Sequence, residues 1–386
     1  MATARRTSRS TPRTAPGCSS SASGADATLQ GLVITGGRSD IFFGGGIASV
    51  GTLTVANSTI SGNSAPGGGG IAVSGALTVT NSTISGNTVA TGVQAGGGGI
   101  FNSGTLTVTN STISGNTATA PRSSGGGIFS IGTLTVANST ISGNSASAIA
   151  DGIRNDGTLE IRSTIVAGNL GGSGDCFNNR PLISQGFNLE GGTSCGFTAT
   201  GDQQNVAVAD VLVTDANGAP LLADNGGPTE TIALLDADTN LALDAIPLAD
   251  CTDIDDMPVL FDQRGVSRPQ PADGNCDIGA FELVQEAPVT IADLIELFDQ
   301  AVADGRLTGA GPGGSAAGRL NALRNMLLAA GDLLAQGDVD GACRQLQDAA
   351  DRTDGASPPD DFVQGEAAPD LLDAVTELQD ELGCFA

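Results

Sequence analysis

Acid–base chemistry in this 386-residue chain rests on carboxylates, thiols and hydroxyls, because it has no His, Lys, Tyr or Trp and all 16 basic residues are Arg. Imidazole bases, Schiff-base amines and His metal ligands are therefore closed to it. The 42 acidic residues are unevenly placed: only Asp26, Asp40, Asp151, Asp156 and Glu160 precede Asp175. The run DADTNLALD sets Asp238, Asn240 and Asp244 two, four and eight residues after Asp236, as in a calcium loop. Its sixth residue is Leu241 instead of Gly and its twelfth is Pro247 instead of Glu, so loop solvation is the simpler reading. Asp253, Asp255 and Asp256 read the same way, and Asp262 with Arg264 and Arg268 reads as local ion pairs. The seven cysteines, at 18, 176, 195, 251, 276, 343 and 384, lack the CxxC-like spacing or His of a zinc site. No metal and no cofactor is expected.

A net charge of -26, held mostly behind residue 175, repels phosphate and anionic lipid, and the few Arg form no basic stripe. Nucleic acid is excluded as a partner on that ground. No apolar run of about 18 residues exists, so no transmembrane segment is expected. Residues 1–24 are rich in Arg, Ser, Thr and Pro without a signal-like apolar stretch, and read as a disordered or misassigned start, truncated or out of frame.

The elements that carry these side chains are set by a repeat. NSTISGN occurs four times, beginning at Asn57, Asn81, Asn110 and Asn138, each copy shortly after GTLTV or GALTV. Aligned on the Ile of STI, the series runs Ile34, Ile60, Ile84, Ile113, Ile141 and Ile165. A GGGI or DGI marker recurs at Ile47, Ile71, Ile100, Ile128 and Ile153, with 13, 13, 13, 13 and 12 residues to the next STI Ile. In GTLTV, apolar residues alternate with Thr, the period of a half-buried strand, and no helical period occurs between residues 29 and 169. About 24 residues make three short strands and three turns, too few for a propeller blade. The fold class is therefore mainly β: a right-handed parallel β-helix, or solenoid, followed by a small all-α helical bundle. Identical letters recur because each residue stacks on its own copy in the next coil. The STI isoleucines are expected to form one inward ladder, and Asn63, Asn87, Asn116, Asn144 and Asn169 an asparagine ladder in a left-handed Gly-Asn turn. Stacking also accounts for NST better than glycosylation does. The Gly runs lack the GKS or GKT ending of a phosphate loop and read as tight corners.

The GGGI and ISGNSA pairing resembles the GGAI and FxxN repeats of polymorphic outer-membrane-type surface proteins, with Ile where Phe is usual. DCFNNRPLISQGFNLEGGTSCGFT, LADNGGPTETIALL and DQRGVSRPQPADGNCDIGAFE, residues 175–198, 222–235 and 262–282, resemble the choice-of-anchor Q domain of bacterial surface proteins. That resemblance implies a β-helix-like surface module ahead of a variable anchoring segment, without enzymatic activity. This chain has LALDAIPLADC where SPAIDAG is common, which leaves the strand register there open. Residues 290–386 change to helical patterning: Thr290 and Asp293 are placed like a capping box, and Ile291, Leu294, Ile295, Phe298 and Val302 share a face. GDVDGACRQLQ with the later ELGC resembles the FIMAH domain of bacterial extracellular proteins. The division expected is 1–24 as above, 25–170 as β-helix repeats, 171–284 as β-helix continuation and disulfide-bridged closing region, and 285–386 as a four-helix domain.

Chain proximity together with these resemblances pairs Cys176 with Cys195, Cys251 with Cys276 and Cys343 with Cys384, one of 15 pairings open to six cysteines. Such bridges imply an oxidising compartment and hence an extracellular or cell-surface location. Parallel β-helices also host polysaccharide-cleaving enzymes, which need paired carboxylates, or calcium with a basic residue, on one outer face. Between Ile41 and Ala150 there is no acidic residue and Arg122 is the sole basic one. The expected function is a non-catalytic, adhesin-like display scaffold that contacts extracellular glycans, matrix or other cells through Thr and Ser ladders and the loops at 64–67, 88–95 and 117–124. The alternative is a polysaccharide lyase or glycoside hydrolase with its site in the acidic rear.

Overall fold

The structure is a computed structural model describing residues 18–19, 26–40, 44–90, 96–121, 123–272, 274–284, 289–311, 314–355 and 361–384. The chain forms two compact units, Met1–Gln285 and Glu286–Ala386. The expectation for residues 1–24 lies outside the described residues, except at Cys18–Ser19, whose backbone pairs in parallel with Ile47–Ala48.

The first unit is a parallel β-solenoid. Alternation in TLTVA drives Leu53 and Val55 inward and leaves Thr52 outside, and the same happens in Ala76–Thr80, Thr105–Thr109, Thr133–Ala137 and Thr158–Arg162. Three seven-stranded parallel sheets result. The first contains the GGGI strands, such as Ile71–Val73, the second the TLTV strands and the third the STI strands, such as Thr83–Ser85. Like sits over like: Ile71 pairs with Ile100 and Ile100 with Ile128, while Leu77 pairs with Leu106 and Val79 with Val108. These ladders form one continuous aliphatic column, each fully buried residue stabilising by about 1.5–3 kcal/mol.

The STI ladder departs from expectation at both ends. Ile34 is only partly buried and packs against the edge of the column. Ile165 does not stack on Ile141; it pairs with Thr140, and Val166 takes the inward place over Ile141. RSTIVAGN has one residue more between Ser163 and Asn169 than its predecessors have, so the ladder is kept by Val166 while Ile165 turns to the outer face. There it joins a second apolar cluster with Leu189, Val211, Ile232 and Ile278.

The corners correct the expected turn. Left-handed backbone occurs at the first Asn of NSTISGN, with φ of 49°, 47°, 50° and 48° at Asn57, Asn81, Asn110 and Asn138, and at Ser163 in the next coil. It also occurs at the Gly of SGN, but not at the ladder asparagines. Asn tolerates this region better than other side chains, so the corner selects it. The following Ser builds its own column: the Ser58 N–H donates to Ser82 Oγ at 3.1 Å, Ser82 N–H to Ser111 Oγ at 3.1 Å and Ser111 N–H to Ser139 Oγ at 3.2 Å. The Gly runs are set by contact between coils, since a Cβ on Gly69 would strike the carbonyl of Gly98.

Coils continue through Cys176–Asn178, Leu182–Ser184 and Leu189–Glu190. The Cys176–Cys195 disulfide and Phe197 then join the end of the aliphatic column, all nearly fully buried. Beyond Glu190, Gln203 adds one parallel bridge to Leu189 at the end of the third sheet, and the later chain lies back along the outer face of that sheet, with Cys251–Cys276 bridging its loops. Of the region expected at 171–284 as β-helix continuation and disulfide-bridged closing region, the coils occupy the part up to Glu190, and the bridged remainder is a return segment along an existing face.

The second unit contains α1 (Ile291–Ala303), α2 (Gly314–Ala335), α3 (Val339–Ala350) and α4 (Ala368–Glu381). Thr290 and Asp293 form the capping box in both directions. Leu294, Phe298, Leu323, Leu327, Leu346, Leu371 and Val375 make its core, and Cys343–Cys384 joins α3 to the chain after α4.

Candidate functional site

The outer faces of the solenoid differ because each sheet exposes a different strand position. On the first sheet, the residue after the marker Ile points out, stacking Phe101 on Phe129, Phe129 on Arg154 and Arg154 on Phe177. The Phe101 and Phe129 rings lie 5.5 Å apart, and the Arg154 guanidinium sits 4.5 Å over Phe129, an attractive cation–π contact. Arg154 is held by Asp156 at 2.6 Å and donates to Ser124 Oγ at 2.9 Å. GGGIF, GGGIF, DGIR and DCF carried this column in the sequence, one position after a marker Ile or, in DCF, after the disulfide Cys176.

On the second sheet the outward positions of TLT form two parallel columns. Thr105 stacks on Thr133 and Thr133 on Thr158, while Thr54 stacks on Thr78, Thr78 on Thr107 and Thr107 on Thr135. The first column is interrupted once, by Ala76, and the second ends at Glu160, which accepts from the Gln185 amide. The columns remain accessible to solvent.

On the third sheet, where Thr59 is half-buried, the Thr ladder of the following coils is covered. Thr83, Thr112 and Thr140 are fully buried beneath the return segment. Gln263 is the hub: Thr112 Oγ1 donates to its Oε1 at 2.7 Å, while its Nε2 lies 2.9 Å from both Thr83 Oγ1 and Thr229 Oγ1. Thr83 Oγ1 donates to the Glu230 carbonyl at 2.5 Å, and the Ala280 N–H donates to Thr140 Oγ1 at 3.1 Å. The Phe261 carbonyl accepts from Asn110 Nδ2 at 2.7 Å. Of the loops at 64–67, 88–95 and 117–124, so far as described, the second and third contain short strands, Thr88–Val89 and Thr117–Ala118, which pair with each other and with Ser145–Ala146 of the next coil in a fourth sheet, with Val89 and Ala118 buried; the first joins Thr88 through a single bridge at Ser64. Residues 91–95 and 122 lie outside the described residues.

Inside, the asparagines form the expected ladder. The Nδ2 of Asn63, Asn87, Asn116 and Asn144 donates in turn to the Oδ1 of the next, at 2.9, 2.9, 2.9 and 3.0 Å. All the amides point the same way, so the column needs a terminal acceptor. Asp175 supplies it, accepting from Asn169 Nδ2 at 2.7 Å. Burial pushes the Asp175 carboxyl above the usual range, a shift the two Asn169 donors oppose and the neighbouring Glu190 and Asp151 carboxylates reinforce.

The return segment holds a second buried network. Arg264 pairs with Asp262 at 2.8 Å and lies over the Phe281 ring, whereas Arg268 pairs with Glu282 at 3.4 Å and donates to the carbonyls of Asp277 and Gly279. The expected cluster around Asp262 thus divides in two. Desolvation raises Glu282 to about 7 and Asp277 to about 6, against the pull of Arg268 on both. Asn240, read as a calcium-loop position, uses its amide to donate to the Val211 and Leu235 carbonyls and to accept from the Ala242 N–H. Arg162 pairs with Asp256 at 3.2 Å, and Asp253 caps its own turn through the Asp255 and Met257 N–H groups. No helix of the described residues is long and apolar enough to cross a membrane.

The class these observations define is a disulfide-bridged parallel β-solenoid with a four-helix unit in the same chain. Compared with known proteins, the chain matches no family model, no curated protein and no solved structure.

Proposed function

We propose that this protein is an exported, non-catalytic bacterial surface scaffold that holds two rigid faces for contact with extracellular glycans, matrix or other cells. The observation that carries the reading is the contrast between faces: the return segment buries Thr83, Thr112 and Thr140 of the third sheet, and outside it leaves the paired Thr columns of the second sheet and, on the first, the half-exposed Phe101 and Arg154 and the exposed Phe177. Aromatic planes contact sugar chains, and rows of fixed hydroxyls contact ordered matrix surfaces. Three disulfides support an oxidising location, and the resemblance of residues 175–282 to choice-of-anchor modules supports display at a bacterial surface.

A glycan array run beside a polysaccharide-degradation assay tests it. Binding without product supports the scaffold. Depolymerisation that is lost on changing a carboxylate of the return segment supports the alternative, a lyase or hydrolase.

A further inference from the structure

We infer that the paired Thr columns of the second sheet bind the surface of ice. Thr54, Thr78, Thr107 and Thr135 form one column, and Thr105 with Thr133 the centre of the other, all in strict parallel register. Neighbouring coils place equivalent atoms about 4.8 Å apart, and residues i and i+2 of one strand about 6.6 Å apart. The face is therefore a two-dimensional grid of hydroxyl and methyl groups, with repeats close to those of water oxygens on faces of hexagonal ice. The β-branched side chain has few rotamers, and the ladder beneath fixes the backbone, so little conformational freedom remains to be lost on binding a lattice.

Three further features select this occupant. Across the coils from Thr52 to Thr135 the two columns carry no charge, and the charges that bound them, Asp26 and Glu160, lie at the ends. Among the described residues no protein group hydrogen-bonds the hydroxyls of these six Thr, whereas the matching Thr83 and Thr112 of the third sheet are taken up by Gln263. A single sugar chain is recognised by unequal, convergent polar groups and apolar or aromatic planes, and these columns offer uniform ones. The Phe–Arg column that suits a sugar lies on another sheet.

The inference uses a face included in the proposed contact surface but not the ligand class proposed for it, so the two fail separately. The test is growth of single ice crystals in the oxidised full-length protein, read as crystal shaping and as the gap between melting and growth temperatures. The native chain is expected to facet crystals and open a gap. Thr107→Lys, at the centre of the grid, is expected to abolish both while leaving the circular dichroism and the three disulfides unchanged. Val50→Lys, exposed and outside the columns, is expected to retain them. Unfaceted growth with no gap in the folded native protein overturns the inference, as does full activity in Thr107→Lys. Retention on crystalline cellulose or chitin without any effect on ice assigns the grid to a polysaccharide surface and also overturns it.

Discussion

Replacing Asn116 by Ala cuts the asparagine ladder at its middle. Its Nδ2 donates to Asn144 Oδ1 at 2.9 Å and to the Ile84 carbonyl at 2.8 Å, and its Oδ1 accepts from Asn87 N–H at 3.0 Å and Asn87 Nδ2 at 2.9 Å. Two neighbours keep a partner: Asn144 Oδ1 still accepts the Asn116 N–H, and Asn87 Nδ2 still donates to the Ile60 carbonyl. The Asn87 N–H and the Ile84 carbonyl lose their side-chain partner in a site closed to solvent. At about 1–3 kcal/mol for each buried group deprived of its bond, the substitution should destabilise the solenoid by about 2–6 kcal/mol. Thr107→Ala, on the outer grid, should change stability by no more than about 0.5 kcal/mol. The assay is urea denaturation of the oxidised full chain, with hydrogen exchange at coil amides separating the solenoid from the helical unit. A loss for Asn116→Ala no larger than that for Thr107→Ala would refute the ladder as a source of stability.

Gln263→Ala removes the contacts to Thr83, Thr112 and Thr229, and should speed exchange in residues 229–231 and 261–263 while amides along the asparagine ladder stay protected; uniform loss of protection would count against a separately held return segment. Changing Cys176 and Cys195 together to Ser opens a 19-residue loop and should cost about 3 kcal/mol in the chain-entropy account, read by denaturation. Because Glu282 and Asp277 hold their protons to higher pH folded than unfolded, the native state binds more protons between about pH 4 and 7. Their contribution is thus present at low pH and is lost as pH rises through that window, so the urea midpoint should be higher near pH 5 than near pH 8. Glu282→Gln should lower stability and flatten that difference.

The coils were legible because a parallel solenoid writes its register into the chain: the alternation in TLTV names the inward residues, and the repeat of NSTISGN names the ladders. The error at Ile165 arose from matching letters. The constant distance of 13 residues from marker to ladder points to Val166, and geometry follows the distance because each ladder position is reached by a fixed number of strand residues. The Phe–Arg column was equally present in the sequence, at the position after each marker Ile and after Cys176. What lay beyond a local reading was the return segment. Nothing near Thr112 announces Gln263, 151 residues away, and nothing near Arg268 prefers Glu282 over the closer Asp262. Such contacts are decided by which faces the chain covers after the coils are complete.

The stacking of like residues is tested most directly by a distance along the solenoid axis. Spin labels on cysteines placed at Thr54 and Glu160, in a Cys18→Ser background with the three disulfides intact, lie on one column four coils apart. Dipolar spectroscopy should give one narrow distribution centred near four strand spacings, about 19 Å. A broad distribution, or one centred far from that value, would contradict the single-column register on which the ladders, the exposed grid and the covered face all depend.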